Sequence, residues 1–321
     1  MLFNLFKKNI FPIGIDIGSG FLKMAQLKQE DQGLILHAAL IEEMPEDLEH
    51  GTPAWQRWIA QKLSDAVAKG KFTGKEAITV MPPEDMFIEQ LQIPRMPEKQ
   101  LEQAVLEKVA KKLPFNSENA MIKQVVTENM GSGEFDALVM AIEREKVDRH
   151  LAIYEKAGLN IKGIGVWPVA CINAYVNFFG RRQSDLGMIA LLIEIGSNHT
   201  NIIICRHSEL LFARVIQFGF RQIDQGQMAQ RLISEIDACV RYFESNSGNS
   251  KVQRIVFFAD RNVNRTICEK MTELAKSLQI PAQIGDVLAA IGVGSNGQVA
   301  IERRGPHLNW AMAFGLSLEG A

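Results

Sequence analysis

The sequence is poor in cysteine and aromatic residues, shows no marked excess of charge of either sign and holds no long apolar run. Its four cysteines, Cys171, Cys205, Cys239 and Cys268, are scattered singly. No C-x-x-C pair and no histidine at ligand spacing accompanies them, which argues against a zinc site and reads as the reduced thiols of a cytosolic chain. Lysine and arginine number 35 against 37 aspartates and glutamates, a net charge of −2, so nothing electrostatic points to nucleic acid. The longest apolar runs fall far short of the roughly 20 residues that cross a bilayer. The opening MLFNLFKKNIF places its lysines after the apolar residues, the wrong order for a signal peptide. Leu2, Phe3, Leu5 and Phe6 leave two readings open: a mobile tail, or a contact with a membrane or partner.

What is present suits an ordinary globular protein: 321 residues, 47% apolar and 22% charged, enough chain for two cores. The distinctive feature is a repeat. FPIGIDIGSGFLKMAQL at 11–27 and MIALLIEIGSNHTNIIIC at 188–205 align with Asp16-Ile17-Gly18-Ser19 over Glu194-Ile195-Gly196-Ser197. In both, an apolar strand runs into a carboxylate, then a Gly-Ser turn, then a second strand.

Around the first repeat the pattern predicts a third strand at Leu34–Ile41 and a helix over Pro53–Lys69 that stops at Gly70, one β-β-β-α unit. Ala77–Met81 reads as a strand, MFIEQLQIP as extended, and MPEKQLEQAVLEKVAKKLPF as a helix ended by Pro114. Leu101, Val105 and Val109, widened by Leu106, form an apolar stripe on that helix. The stripe reads either as core packing or as the lining of a groove for a partner peptide. A strand at Ala137–Ile142 and a helix over Glu145–Ala157 closed by Gly158 follow. After the second repeat come a helix over Gln225–Phe243, a strand at Ile255–Phe258, a helix over Val263–Leu278 and a closing apolar segment, LNWAMAFGLSL, of helical or extended form. Alternating strands and helices in each half make the class α/β.

A Gly-Ser turn between two strands aims backbone N–H groups one way, and such a nest favours phosphate. A carboxylate at the end of the preceding strand would repel phosphate unless Mg²⁺ lay between them. Two such turns facing each other would form the walls of a nucleotide cleft. The turn residues Ser19, Lys23, Ser197, Asn198 and His199 read equally as inherited architecture.

With NLFKK and IGIDIGSGFLKMAQL at the start, IPRMPEKQLEQAVLEKVAKKLPF at 93–115, AIEREKVDRHLAIYEKAGL at 141–159 and AMAFGLSLEG at 311–320, the chain resembles the PilM family of type IV pilus assembly proteins, within the actin-like ATPase superfamily. The resemblance runs over nearly the whole chain. It implies an actin-like, FtsA-like duplicated βββα fold: subdomain 1A at 1–75, 160–186 and 307–321, an inserted subdomain 1C at 76–159, and a second domain at 187–306 with little of subdomain 2B. It implies ATP and Mg²⁺ at Asp16, Gly18, Ser19, Gly20, Lys23, Glu194, Gly196, Ser197, Asn198 and His199, with Asp16 and Glu194 meeting the metal through Mg-ATP. It implies as partner the cytoplasmic N-terminal tail of a PilN-like inner-membrane protein, docked on 1C at Leu101, Val105, Leu106 and Val109, together with other pilus platform and motor proteins. The chain would then be cytoplasmic and peripheral at the inner membrane.

Against the superfamily pattern the nucleotide chemistry is worn. Glu194 replaces an Asp and moves the carboxylate by about 1.5 Å, one carbon–carbon bond. Ala259-Asp260 stand where the adenosine loop has two glycines, Gly165 and Trp167 stand where carboxylates are usual, and only 16 residues separate Gly219 from Glu235 where 2B is expected. Hydrolysis needs a positioned water and a base, so a non-catalytic scaffold is the leading expectation. The alternatives are an active ATPase or kinase using Asp16 and Glu194, and a type II secretion platform component. The chain carries no apolar span before Ala321, which such a component would have.

Overall fold

Apolar and β-branched residues on both sides of a Gly-Ser turn give the first hairpin: β1 (Ile10–Ile17) runs antiparallel to β2 (Phe21–Glu30), with Asp16 opposite Lys23. β3 (Gly33–Glu43) extends the meander, and α1 (Pro53–Ala68) begins at Thr52, whose hydroxyl accepts from the Trp55 N–H at 3.2 Å. β4 (Glu76–Val80) then lies parallel to β1. This computed structural model describes residues 10–128, 134–223, 226–248, 250–258, 265–293 and 309–319.

After a 3-10 turn at Pro83–Asp85 the chain leaves the first sheet. β5 (Phe87–Ile93), α2 (Glu98–Ala110), β6 (Ala120–Glu128) and β7 (Phe135–Glu143) form a separate unit, an antiparallel sheet in the order β5-β7-β6 with α2 on one face. The chain returns through α3 (Arg144–Lys156) and β8 (Asn160–Gly165), which joins the first sheet beside β4, and α4 (Trp167–Phe178) follows.

The second half repeats the first. β9 (Ile189–Ile195), β10 (Thr200–Arg206) and β11 (Glu209–Ile216) form a meander, followed by α5 (Phe220–Ile223), α6 (Gly226–Asn246), β12 (Arg254–Phe258) parallel to β9, α7 (Arg265–Leu278) and β13 (Ala282–Ile284). α8 (Val287–Ala290), β14 (Gly292–Val293) and α9 (Ala311–Ser317) return to the first half. The sheets read β14-β3-β2-β1-β4-β8 and β11-β10-β9-β12-β13.

The two halves meet on α4 and α9. All seven residues of α9 are buried, and Phe178, Phe258 and Phe314 share a core with Trp167 and Trp310. Their closeness depends on a small residue: a Cβ at Gly315 would collide with the Ala170 carbonyl. Ser317 ties α9 to the first hairpin, its hydroxyl donating to Pro12 O at 2.8 Å and accepting from Leu27 N at 3.1 Å. No helix among the described residues is long and apolar enough to cross a membrane.

Three expectations are corrected. The inserted unit does not span 76–159, because β4 pairs with β1 and because α3 packs Ile153 and Tyr154 into the core beneath β1 and α1; the separate sheet occupies Phe87–Glu143. The second domain does not run to 306, since β14 pairs with β3 in the first sheet. Leu101, Val105 and Val109 do not line a partner groove. They are 8, 0 and 0% exposed and pack against Leu91, Ile93, Ala137 and Val139 on one face of the sheet, while the other face sends Leu138 into the core shared with α4 and α9. Leu106 alone of the four faces outward, at 38%.

Candidate functional site

The two Gly-Ser turns face each other and touch. Ser197 sits so close to Gly20 that a Cβ added there would lie 2.6 Å from the serine hydroxyl. Asp16, Gly18, Ser19, Gly20, Lys23, Glu194, Gly196, Ser197 and His199 line a single cavity between them. Of the sequence-predicted set only Asn198 stands outside it, exposed at the tip of its turn.

Each carboxylate has a different environment. Asp16 ends β1 opposite Lys23, whose ammonium is 4.0 Å away. Burial pushes the Asp16 carboxyl up to about 6; Lys23 works against this shift and Glu194 adds to it. Glu194, 8% exposed, has both oxygens engaged by amide donors: Asn201 Nδ2 gives to Oε2 at 2.8 Å and Asn309 Nδ2 to Oε1 at 3.0 Å. Lys23 in turn donates to the Asn309 carbonyl at 2.7 Å. The arm leading into α9 therefore binds both hairpins at one residue.

The turn amides are partly committed as well. Gly18 N–H donates to Phe21 O at 3.0 Å and Gly196 N–H to His199 O at 2.9 Å, each closing its own hairpin. The segment after β11 folds over the second turn, with Phe220 N–H and Arg221 N–H donating to the Gly196 and Ser197 carbonyls at 3.0 and 3.1 Å. The Ser19 hydroxyl is buried with no hydrogen-bond partner.

Sequence reasoning missed Glu84, Asn309 and Phe220 as lining residues. Asn309 had a readable signal, a polar side chain just ahead of an all-apolar helical run, where its Oδ1 accepts from Ala311 N at 2.9 Å. Glu84 and Phe220 had none, since tertiary folding alone brings them to the turns. Trp167, which stands in place of a carboxylate, is fully buried against the cavity and has an unpartnered indole N–H. Ala259 and Asp260 lie outside the described residues.

The cavity measures about 50 Å³, whereas sites for ligands of drug size run to about 300–1,000 Å³. A triphosphate does not fit this closed arrangement. Its residues have the chemistry for a cation-bridged phosphate, with Asp16 as the carboxylate, Lys23 as the counter-charge and Ser19 as an unused hydroxyl. Using them requires the Gly20–Ser197 contact and the Asn309 bridge to part. No group of three or more metal-ligating side chains occurs among the described residues.

Two larger hollows lie between the inserted unit and the second half. They measure about 730 and 440 Å³ and share Gln90, Phe212 and Tyr242. Their walls are β5 and β11, each at the end of its sheet. Tyr242 on α6 is 42% exposed here.

Residues 14–231 match the family described as type IV pilus assembly protein PilM. No protein of curated function matches the chain. Among solved structures, a PilM-PilN type IV pilus biogenesis complex is 18% identical, with a TM-score of 0.74, covering 97% of this chain and 99% of that one. The ethanolamine utilization protein EutJ from Carboxydothermus hydrogenoformans is 12% identical, with a TM-score of 0.50, over 99% of this chain and 92% of that one. The fold they share with this chain is the actin-like ATPase fold.

Proposed function

Because the chain belongs to the family of type IV pilus assembly protein PilM, we propose that it is a non-hydrolysing scaffold of a pilus assembly platform. It docks the cytoplasmic N-terminal tail of a PilN-like inner-membrane protein and is held at that membrane through its partners, the other platform and motor proteins among them. The observation that carries this reading is the contrast between its two openings. The phosphate-type cavity is about 50 Å³, with each oxygen of Glu194 already holding a hydrogen bond from Asn201 or Asn309, while the groove beside the inserted unit offers about 730 Å³.

The groove suits an extended peptide. Among the described residues β5 pairs with β7 alone and β11 with β10 alone, so each has an outer edge of main-chain donors and acceptors there. Phe87, Phe212 and Tyr242 supply apolar surface, and Glu89 and Arg214 supply charges of both signs. The similar complex has PilN as its second component, and in this chain the tail lies along β5.

Fluorescence anisotropy of the labelled PilN-like tail against wild-type chain and Tyr242→Glu tests the placement. Docking in the groove predicts at least about tenfold weaker binding, roughly 1.4 kcal/mol. Equal affinity in the variant overturns it. Asp16 is positioned for cation-bridged phosphate only in an opened cleft, so ATP binding is weak and hydrolysis absent in this reading.

A further inference from the structure

The inserted sheet hangs from the rest of the chain by two crossings, one entering it at 81–86 and one leaving at β7 to α3. The entering turn carries adjacent carboxylates that reach in opposite directions. Glu84 lines the phosphate-type cavity, its Oε2 3.7 Å from Nδ1 of His199 in the second Gly-Ser turn. Asp85 faces away, with Oδ2 3.3 Å from His50 Nε2 and Oδ1 3.2 Å from Lys146 Nζ. Lys146 also stands 3.8 Å from Glu143, at the end of the leaving strand. One ammonium on the first turn of α3 therefore binds an acid on each crossing.

Pro82 and Pro83, just ahead of these two acids, stiffen the entry into the turn that carries them. Each ring fixes its own φ, and each restricts the residue before it. Downstream of the rings the 3-10 turn is closed by the Asp85 N–H donating to Pro82 O at 3.0 Å and the Met86 N–H to Pro83 O at 3.2 Å, so that a displacement at Glu84 is passed on to Asp85 and Met86 and so to β5.

We propose that Met81–Met86 is a relay that couples the second Gly-Ser turn to the orientation of the inserted sheet, with Glu84 as its sensing end and Lys146 as its hinge pin. Opening of the cavity draws His199 and Glu84 with it and turns the sheet on Lys146, changing the groove between β5 and β11. The relay is a property of the chain alone and does not rest on the docking reading.

Pulsed electron-spin distance measurement on the full chain tests it without any partner. Met121→Cys on β6 and Ile284→Cys on β13, 41 and 58% exposed, take the labels, with the exposed Cys268 changed to Ser. The unmodified relay gives one narrow distance. Glu84→Ala and Lys146→Met, both at half-exposed positions, each broaden it about twofold, and the double variant is no broader than the wider single one because the two act on one path. A wild-type width in either single variant, or additive broadening in the double, overturns the relay.

Discussion

Asn309 Nδ2 donates to Glu194 Oε1 at 3.0 Å across 115 residues of sequence. The same Asn309 accepts from Lys23 through its carbonyl at 2.7 Å, so the arm entering α9 locks the two phosphate-type hairpins together. This bridge holds the two Gly-Ser turns closed on each other. The second hairpin's carboxylate is satisfied from within the chain.

Glu194→Gln should break this lock. The amide offers one donor where Asn201 or Asn309 needs an acceptor, and it removes the charge that strengthens both bonds. Urea unfolding should show a loss of about 2 kcal/mol. A midpoint equal to wild type would mean that the carboxylate contributes nothing to holding the halves together.

The Asp16 carboxyl, pushed up to about 6 by burial, gives a pH signature. Its folded value lies above the unfolded one of about 3.9, so the native state holds the proton more tightly. Stability contributed by this group is full below pH 4 and falls as the pH rises to about 6. At pH 7 Asp16→Asn should therefore be more stable than wild type by up to about 3 kcal/mol, with the difference vanishing near pH 4. In Glu194→Gln the same transition should move to lower pH, because one of the charges raising it is gone. Thermal melts of the three proteins between pH 4 and 8 check both statements.

On α2 the structure separates neighbouring leucines. Leu101→Ala empties part of the core between α2 and the inserted sheet and should cost about 2–4 kcal/mol. Leu106→Ala should stay within about 0.5 kcal/mol, since its side chain already faces solvent. Chemical denaturation of the two variants decides it, and equal losses would contradict the packing described.

Much of this architecture was legible in the sequence, for identifiable reasons. Alternating apolar strands around Gly18-Ser19 and Gly196-Ser197 placed both hairpins, and Gly70 and Gly158 marked the ends of α1 and α3, where they adopt φ of 65° and 73°. α4 was missed because WPVACINAYVNF is apolar nearly all round, so no polar face marks its period. The same ambiguity left α9 open between helix and strand. The stripe Leu101, Val105, Val109 has the same spacing whether it faces a core or a partner, and only the apolar sheet face beneath it, Leu91, Ile93, Ala137 and Val139, decides for the core. Within the cavity the hairpin residues were readable from their repeat. The closing contacts of Asn309, Glu84 and Phe220 were not, because they arise from pairings across tens to hundreds of residues.

The most direct test of the account is calorimetric titration of the PilN-like tail into the full chain with no nucleotide present. A closed, self-satisfied cleft beside an open groove predicts binding in the micromolar range, about −8 kcal/mol, unchanged when millimolar Mg-ATP is added. A tail that binds only after Mg-ATP is supplied would contradict the scaffold reading and make the cleft a working nucleotide switch.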